Sequence, residues 1–134
     1  MVMSLTDKKQ RADMALKFHS QGYNCSQSVV LAFSDLMSID IGALAKVSAC
    51  FGGGFGASGA QCGVLSGQGM VIGVKSWQSP QSKPAVYVMT KELKNEFEHR
   101  YGTSQCRELK RAKISCDTLI KDGVEALCVK LGID

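Results

Sequence analysis

The sequence predicts an all-α single domain, a bundle of six or seven helices with a glycine-rich loop before a central glycine-rich helix. Three observations predict it. Apolar residues recur at i, i+3 and i+4 along most of the chain. No alternating apolar–polar run is long enough for a sheet. Capping residues stand at the head of most periodic segments, with glycines behind several of them. The 134 residues fit one domain, 1–134, able to bury roughly two thirds of its unfolded surface.

Thr6 is placed to cap a first helix ending near Ser20, with Gly22 behind it. Asn24 caps a second, from Cys25 to about Met37, with Cys25, Val29, Phe33 and Leu36 on one face. Asp40 caps a short third helix ending near Cys50. Gly52, Gly53, Gly54, Gly56 and Gly59 form a loop, and a fourth helix spans about 61–77. Pro84 suits the first turn of a fifth. That helix carries Val86, Met89, Leu93, Phe97 and Tyr101 on one face and stops at Gly102. Ser104 caps a short sixth helix and Ser115 a seventh, whose apolar stripe is Cys116, Ile120, Val124, Leu127 and Leu131.

Composition excludes several classes. A hydrophobic fraction of 45% and a charged fraction of 21% suit a soluble globular chain. A net charge of +4, with no basic run interleaved with aromatics, gives no footprint for nucleic acid. Residues 47–74 carry no charge and are long enough for a bilayer. Nine glycines lie inside that stretch, so no membrane association is expected. Residues 1–10 show no secretory signal, so a reducing, cytoplasmic setting is expected.

Chemistry points to the six cysteines. Cys25, Cys62, Cys106 and Cys116 all fall at expected helix starts. Partial positive charge and unpaired N–H groups there favour a thiolate, the form that attacks, oxidises or binds metal. Cys25 and Cys116 lead apolar stripes, so their helix ends are expected to converge on one buried anionic centre. No CxxC, zinc-finger spacing or CxxCH is present, so no covalent haem is expected. Cys50 and Cys128 read as core packing. Gly54, Gly56 and Gly59 form a literal GxGxxG, but it follows a helix and lacks a ribose-binding acid, so no nucleotide is expected. The loop reads as a connector or as an anion-binding nest beside Cys62. Gly63/Gly67 and Gly69/Gly73 form faces open to close approach by a helix or a bound group. His19 and His99 read as helix C-terminal residues that suit the dipole.

Asn24-Cys25, Cys62-Gly63-Val64-Leu65-Ser66-Gly67, Cys106-Arg107-Glu108-Leu109 and Cys116 together resemble a small bacterial family of redox-active proteins, C_GCAxxG_C_C. The run Phe51-Gly52-Gly53-Gly54 before the second motif is also family-like. Val64 stands where the family has alanine. The resemblance implies electron transfer and a shared centre at Cys25, Cys62, Cys106 and Cys116, with Gly63 beside it. The leading expectation is an iron–sulfur cluster or other metal on those four thiolates, serving an unknown redox partner. Two further readings stay open: a metal-free thiol–disulfide oxidoreductase, with Cys106/Cys116 as its pair, and an interaction protein with inert cysteines. A homodimer through the glycine-lined helix is also expected.

Overall fold

The computed structural model describes residues 7–134. Seven α-helices follow in order: α1 (Lys8–Ser20), α2 (Cys25–Leu31), α3 (Ile41–Ser48), α4 (Gly63–Ser76), α5 (Lys83–Tyr101), α6 (Cys106–Arg111) and α7 (Cys116–Lys130). Single 3-10 turns cover Ser34–Leu36, Ala49–Phe51 and Pro80–Ser82. Among the described residues there is no strand, only one isolated antiparallel bridge between Gln61 and Gln105. No helix among them is long and apolar enough to cross a membrane.

Most helix starts fall where the caps stand. Asn24, Asp40 and Ser115 each accept an amide from the first turn of their helix. Asp7 does the same for α1 through the Gln10 amide; Thr6 lies outside the described residues. Two boundaries differ from the sequence expectation. The second helix stops at Leu31 rather than near Met37. Buried Arg11 explains the break: its guanidinium takes the Ala32 carbonyl at 3.0 Å and both oxygens of Asp35 at 2.6 and 3.0 Å. Those partners bend the chain into the 3-10 turn after α2. The sixth helix is capped by Gln105, not Ser104. Ser104 is buried and donates to Glu98 at 2.8 Å, so its hydroxyl is already committed.

Two helix pairs organise the bundle: α1 against α7 and α2 against α4. The core between them includes Val29, Phe33, Ile72, Ile120, Val124 and Leu127, all without solvent exposure. The α2–α4 pair is close because α4 presents glycine. A Cβ at Gly67 would lie 2.9 Å from the Ser26 carbonyl and 3.0 Å from Val29. Packing that tight costs a side chain but lets two backbones touch.

Val64, which replaces the family's alanine, has a counterpart across the core. A Cβ at Gly123 on α7 would collide with its Cγ1 methyl. The extra methyls therefore fit into space that glycine leaves open. Gly123→Ala alone gains helix propensity of about 1 kcal/mol but overpacks the contact by roughly 1–3 kcal/mol. It is expected to lower urea-unfolding stability in the native background. With Val64→Ala already present, the same change is expected to be neutral or stabilising. Equal effects in both backgrounds would disprove the coupling.

Candidate redox centre

The four helix-start cysteines come together. Cys25, Cys62, Cys106 and Cys116 line one cavity of about 140 Å³. Cys25, Cys106 and Cys116 are the first residues of α2, α6 and α7, while Cys62 is the N-cap of α4. Four helix N-termini thus face one space. Apolar Val64, Leu109, Ile114 and Leu119 complete much of the wall. Cys62 and Cys106 are buried, and Cys25 and Cys116 are half-buried.

Backbone pairing fixes the deeper two. The Cys62 amide donates to the Ser104 carbonyl at 2.9 Å, and the Cys106 amide to the Ala60 carbonyl at 2.6 Å. This short antiparallel contact holds both sulfur-bearing residues against each other's loops. Cys25 is placed by Asn24, whose side chain caps α2 and donates to the Ala49 carbonyl at 2.8 Å. Gly63 then completes the floor. A Cβ there would stand 2.5 Å from the Cys25 sulfur and 2.8 Å from the Phe51 carbonyl. Only a residue without a side chain fits under that thiol.

The glycine loop is a built element rather than a plain connector. Residues 53–57 all have φ between 58° and 75°, a left-handed turn that includes Phe55 and Ala57. Left-handed backbone costs roughly 1–2 kcal/mol for each residue with a side chain. Amide bonds from Gly56 to Cys50, Ala57 to Gly52, Gly59 to Gly53 and Ala60 to Gly54 hold the turn at 2.7–3.0 Å. The turn brings Gly54 under Cys106, where a Cβ would lie 2.7 Å from the cysteine's own Cβ.

Burial reverses, at Cys62 and Cys116, the charge preference expected at helix starts. The Cys62 thiol is pushed up to about 12, first by desolvation, with repulsion from Cys25 and Cys106 adding to it. The Val64 and Leu65 amides at the head of α4 pull the other way but do not prevail. Cys116 is also raised by burial, with repulsion from Cys25 and Cys106 and some relief from Lys110. Cys25 and Cys106 are therefore electrostatic neighbours of both other sulfurs. A dipole supplies fractional charge at one end, whereas a dry wall removes the solvation of a full one.

Three lining residues were not singled out as part of a site. His19, in the last turn of α1, lines the cavity and pairs through Nδ1 with Asp117 at 2.7 Å. Asn24 and Lys110 line it as well. His19 stands near the end of α1 and only a short loop before Cys25, which brings it to the cavity, whereas its partner Asp117 arrives from α7. Cys128 is fully buried, as expected for core packing. Cys50 is not: it is exposed in the 3-10 turn after α3, because that turn leaves the bundle to enter the glycine loop. All six cysteines are free. Among the described residues no group of three or more His, Cys, Asp or Glu is placed to hold a metal ion.

The family model described as "Putative redox-active protein (C_GCAxxG_C_C)" matches residues 23–129. The chain belongs to this family. The match takes in all four cavity cysteines and most of α7. No curated protein matches the chain, and no solved structure matches it. Within this redox-active family, the motif glycine after the second cysteine is Gly63, the residue that makes room for the first cysteine's sulfur.

The raised thiols set a pH window. A free thiol near 9.0 in the unfolded chain ionises before Cys62 does in the folded protein. Between about pH 9 and 12 the unfolded state therefore binds fewer protons, and stability falls as pH rises. The loss from Cys62 reaches at most about 4 kcal/mol. Cys128, raised to about 11 by burial, adds in the same direction. Chemical unfolding of the reduced, metal-free protein is expected to show this decline above pH 9, with a shallower slope in Cys62→Ser. An unchanged slope in that variant would refute the assignment to Cys62.

Proposed function

We propose that the protein is an electron-transfer protein whose Cys25, Cys62, Cys106 and Cys116 together hold one iron–sulfur cluster. The observation that carries the reading is the convergence of four cysteines, each at a helix start, on one cavity. The donor set fits such a group. Thiolates are its usual ligands, and helix N-termini favour the net negative charge of a thiolate-bound cluster. A cavity of about 140 Å³ exceeds what one ion needs, and a water's share of liquid is about 30 Å³. Among the described residues no three donors are placed around a single ion, so the reading rests on the four thiols and the cavity, whose size suits a polynuclear group.

The thiol energetics support the same choice. A metal-free exchange enzyme needs an attacking thiol that ionises near ambient pH. Cys62 and Cys116 are shifted the other way. A bound cation removes that penalty by neutralising the thiolates as they form. When bound, the cluster would supply one-electron transfer. The chain's own residues supply the ligands, a water-poor apolar wall, and N–H groups at four helix starts. A cytoplasmic setting suits this reading, since thiols there stay reduced until metal arrives.

Anaerobic purification followed by iron and acid-labile sulfide analysis tests it. Iron and sulfide are expected in near-equal amounts, with visible absorption that bleaches on reduction. Single Cys→Ser changes at Cys25, Cys62, Cys106 or Cys116 are expected to remove most of the iron, as is Gly63→Ala, which displaces the Cys25 sulfur. Cys50→Ser and Cys128→Ser are expected to retain it. A metal-free protein that cycles reversibly through a Cys106–Cys116 disulfide would overturn the cluster in favour of thiol exchange.

A further inference from the structure

We infer that the groove between α4 and α5 is the docking site for the redox partner, and that it takes an apolar helix flanked by acidic residues. This rests on the reading of the cysteine cavity as an electron-transfer centre and names the partner's chemistry. The groove encloses about 500 Å³. Leu65, Gly69, Ile72 and Gly73 of α4 form its floor, and Val86 and Tyr87 of α5 form its wall.

The first argument is the glycines that the fold leaves unused. Gly63 and Gly67 face inward and are filled by α2. Gly69 and Gly73 are not needed for packing: a Cβ at Gly69 would meet only the Thr90 methyl at 3.8 Å, and one at Gly73 would meet nothing within 4 Å. Each glycine inside a helix costs roughly 1 kcal/mol relative to alanine. Nothing in the bundle offsets that for these two, whereas a backbone lying in the groove would.

The second argument is charge. Lys91 and Lys94 line the groove and no acidic residue does; Glu98, one turn on, reaches Lys94 at 3.8 Å, and Lys91 has no ion-pair partner among the described residues. An apolar lining whose own charges are all positive matches an amphipathic helix of the opposite sign. A second copy of this chain, seated groove to groove, would set these lysines against their own mates. Exposed apolar side chains extend the surface: Tyr87 is 64% exposed at the edge, and beyond Gly73 a second groove is edged by Val47 and Trp77, 61% and 45% exposed.

The third argument is position. Gln61 closes one end of the groove, and the next residue is Cys62. Leu65, on the floor, is one turn from Cys62 and donates its amide to the Cys62 carbonyl at 3.1 Å. A helix in the groove therefore ends beside the most buried of the four cavity cysteines, with α4 as the shared wall.

Two synthetic helical peptides with the same leucine stripe, one flanked by glutamates and one by lysines, test the inference by fluorescence anisotropy with the full chain. The glutamate peptide is expected to bind at least about tenfold more tightly, and to weaken as salt shortens the screening length. Lys91→Glu combined with Lys94→Glu is expected to invert the preference. Gly73→Leu is expected to abolish binding while raising the melting temperature, so lost binding there is not lost folding. Equal affinity for the two peptides, no binding by either, or a dimer in sedimentation that Gly73→Leu dissociates would each overturn the proposal, the last in favour of a second copy. Peptide binding requires no metal, so its failure leaves the iron analysis standing, and absence of iron leaves this result to be read by itself.

Discussion

The approach of α2 to α4 governs the rest of the molecule. Helices with side chains between them lie about 8–10 Å apart, and α2 approaches α4 more closely than a side chain on the contact face would allow. Glycine at 63 and 67 removes the side chains on the contact face. The Cys25 sulfur then rests over the Gly63 backbone, one residue from Cys62. The glycine loop and the short pairing of Ala60 and Cys62 with Ser104 and Cys106 add the third cysteine from the other side. Helix α7, packed on α1 and tied to it by His19 and Asp117, adds the fourth. None of these later contacts produces one cavity unless α2 and α4 first meet backbone to backbone.

Placing four thiols together in an apolar wall is unfavourable for any state in which several carry charge. Helix dipoles offer each sulfur a fraction of a positive charge, worth roughly 0.3–1 kcal/mol at an exposed site. Desolvation of a buried thiolate and repulsion from its neighbours are larger, and they hold Cys62 and Cys116 protonated. Cys62 and Cys116 are therefore neutral thiols, poor as nucleophiles. A cation sharing the space would favour their thiolates. The desolvation that disfavours a free thiolate at Cys62 and Cys116 is what a bound cation would relieve, and this is the energetic basis of the proposed metal site.

Much of this was legible in the sequence, and the reasons differ by element. The helices were legible because their caps and periodicity are local; α5 and α7 carry unbroken stripes from Val86 and Cys116 onward. The convergence of the cysteines was legible because a helix start is a place as well as a pattern. The end of α2 was not, because Arg11 lies in the first turn of another helix and acts across space on Ala32 and Asp35. Ser104 misled for a similar reason, its partner Glu98 belonging to the preceding helix. The sign of the thiol shifts was hidden because a dipole can be read from position, while burial depends on residues such as Leu109 and Leu119 that arrive from elsewhere in the chain. Cys50 was misplaced because its helix ends in a turn that leaves the core.

The four glycines of α4 at positions 63, 67, 69 and 73 separate into two kinds once the structure is known. Their spacing is the same, and sequence alone treats both pairs as one surface for close packing. Only the inner pair is occupied, by the Cys25 sulfur, Ser26 and Val29. The outer pair faces solvent between apolar walls. A helix that loses stability to glycine on both sides, with a return inside the fold on only one, is incomplete as a packing element. The two sides also differ in chemistry: thiols and helix starts on the inner side, apolar surface and lysines on the outer. One helix is thus the wall between the cysteine cavity and an open groove, the arrangement that the proposed electron transfer to a docked partner would use.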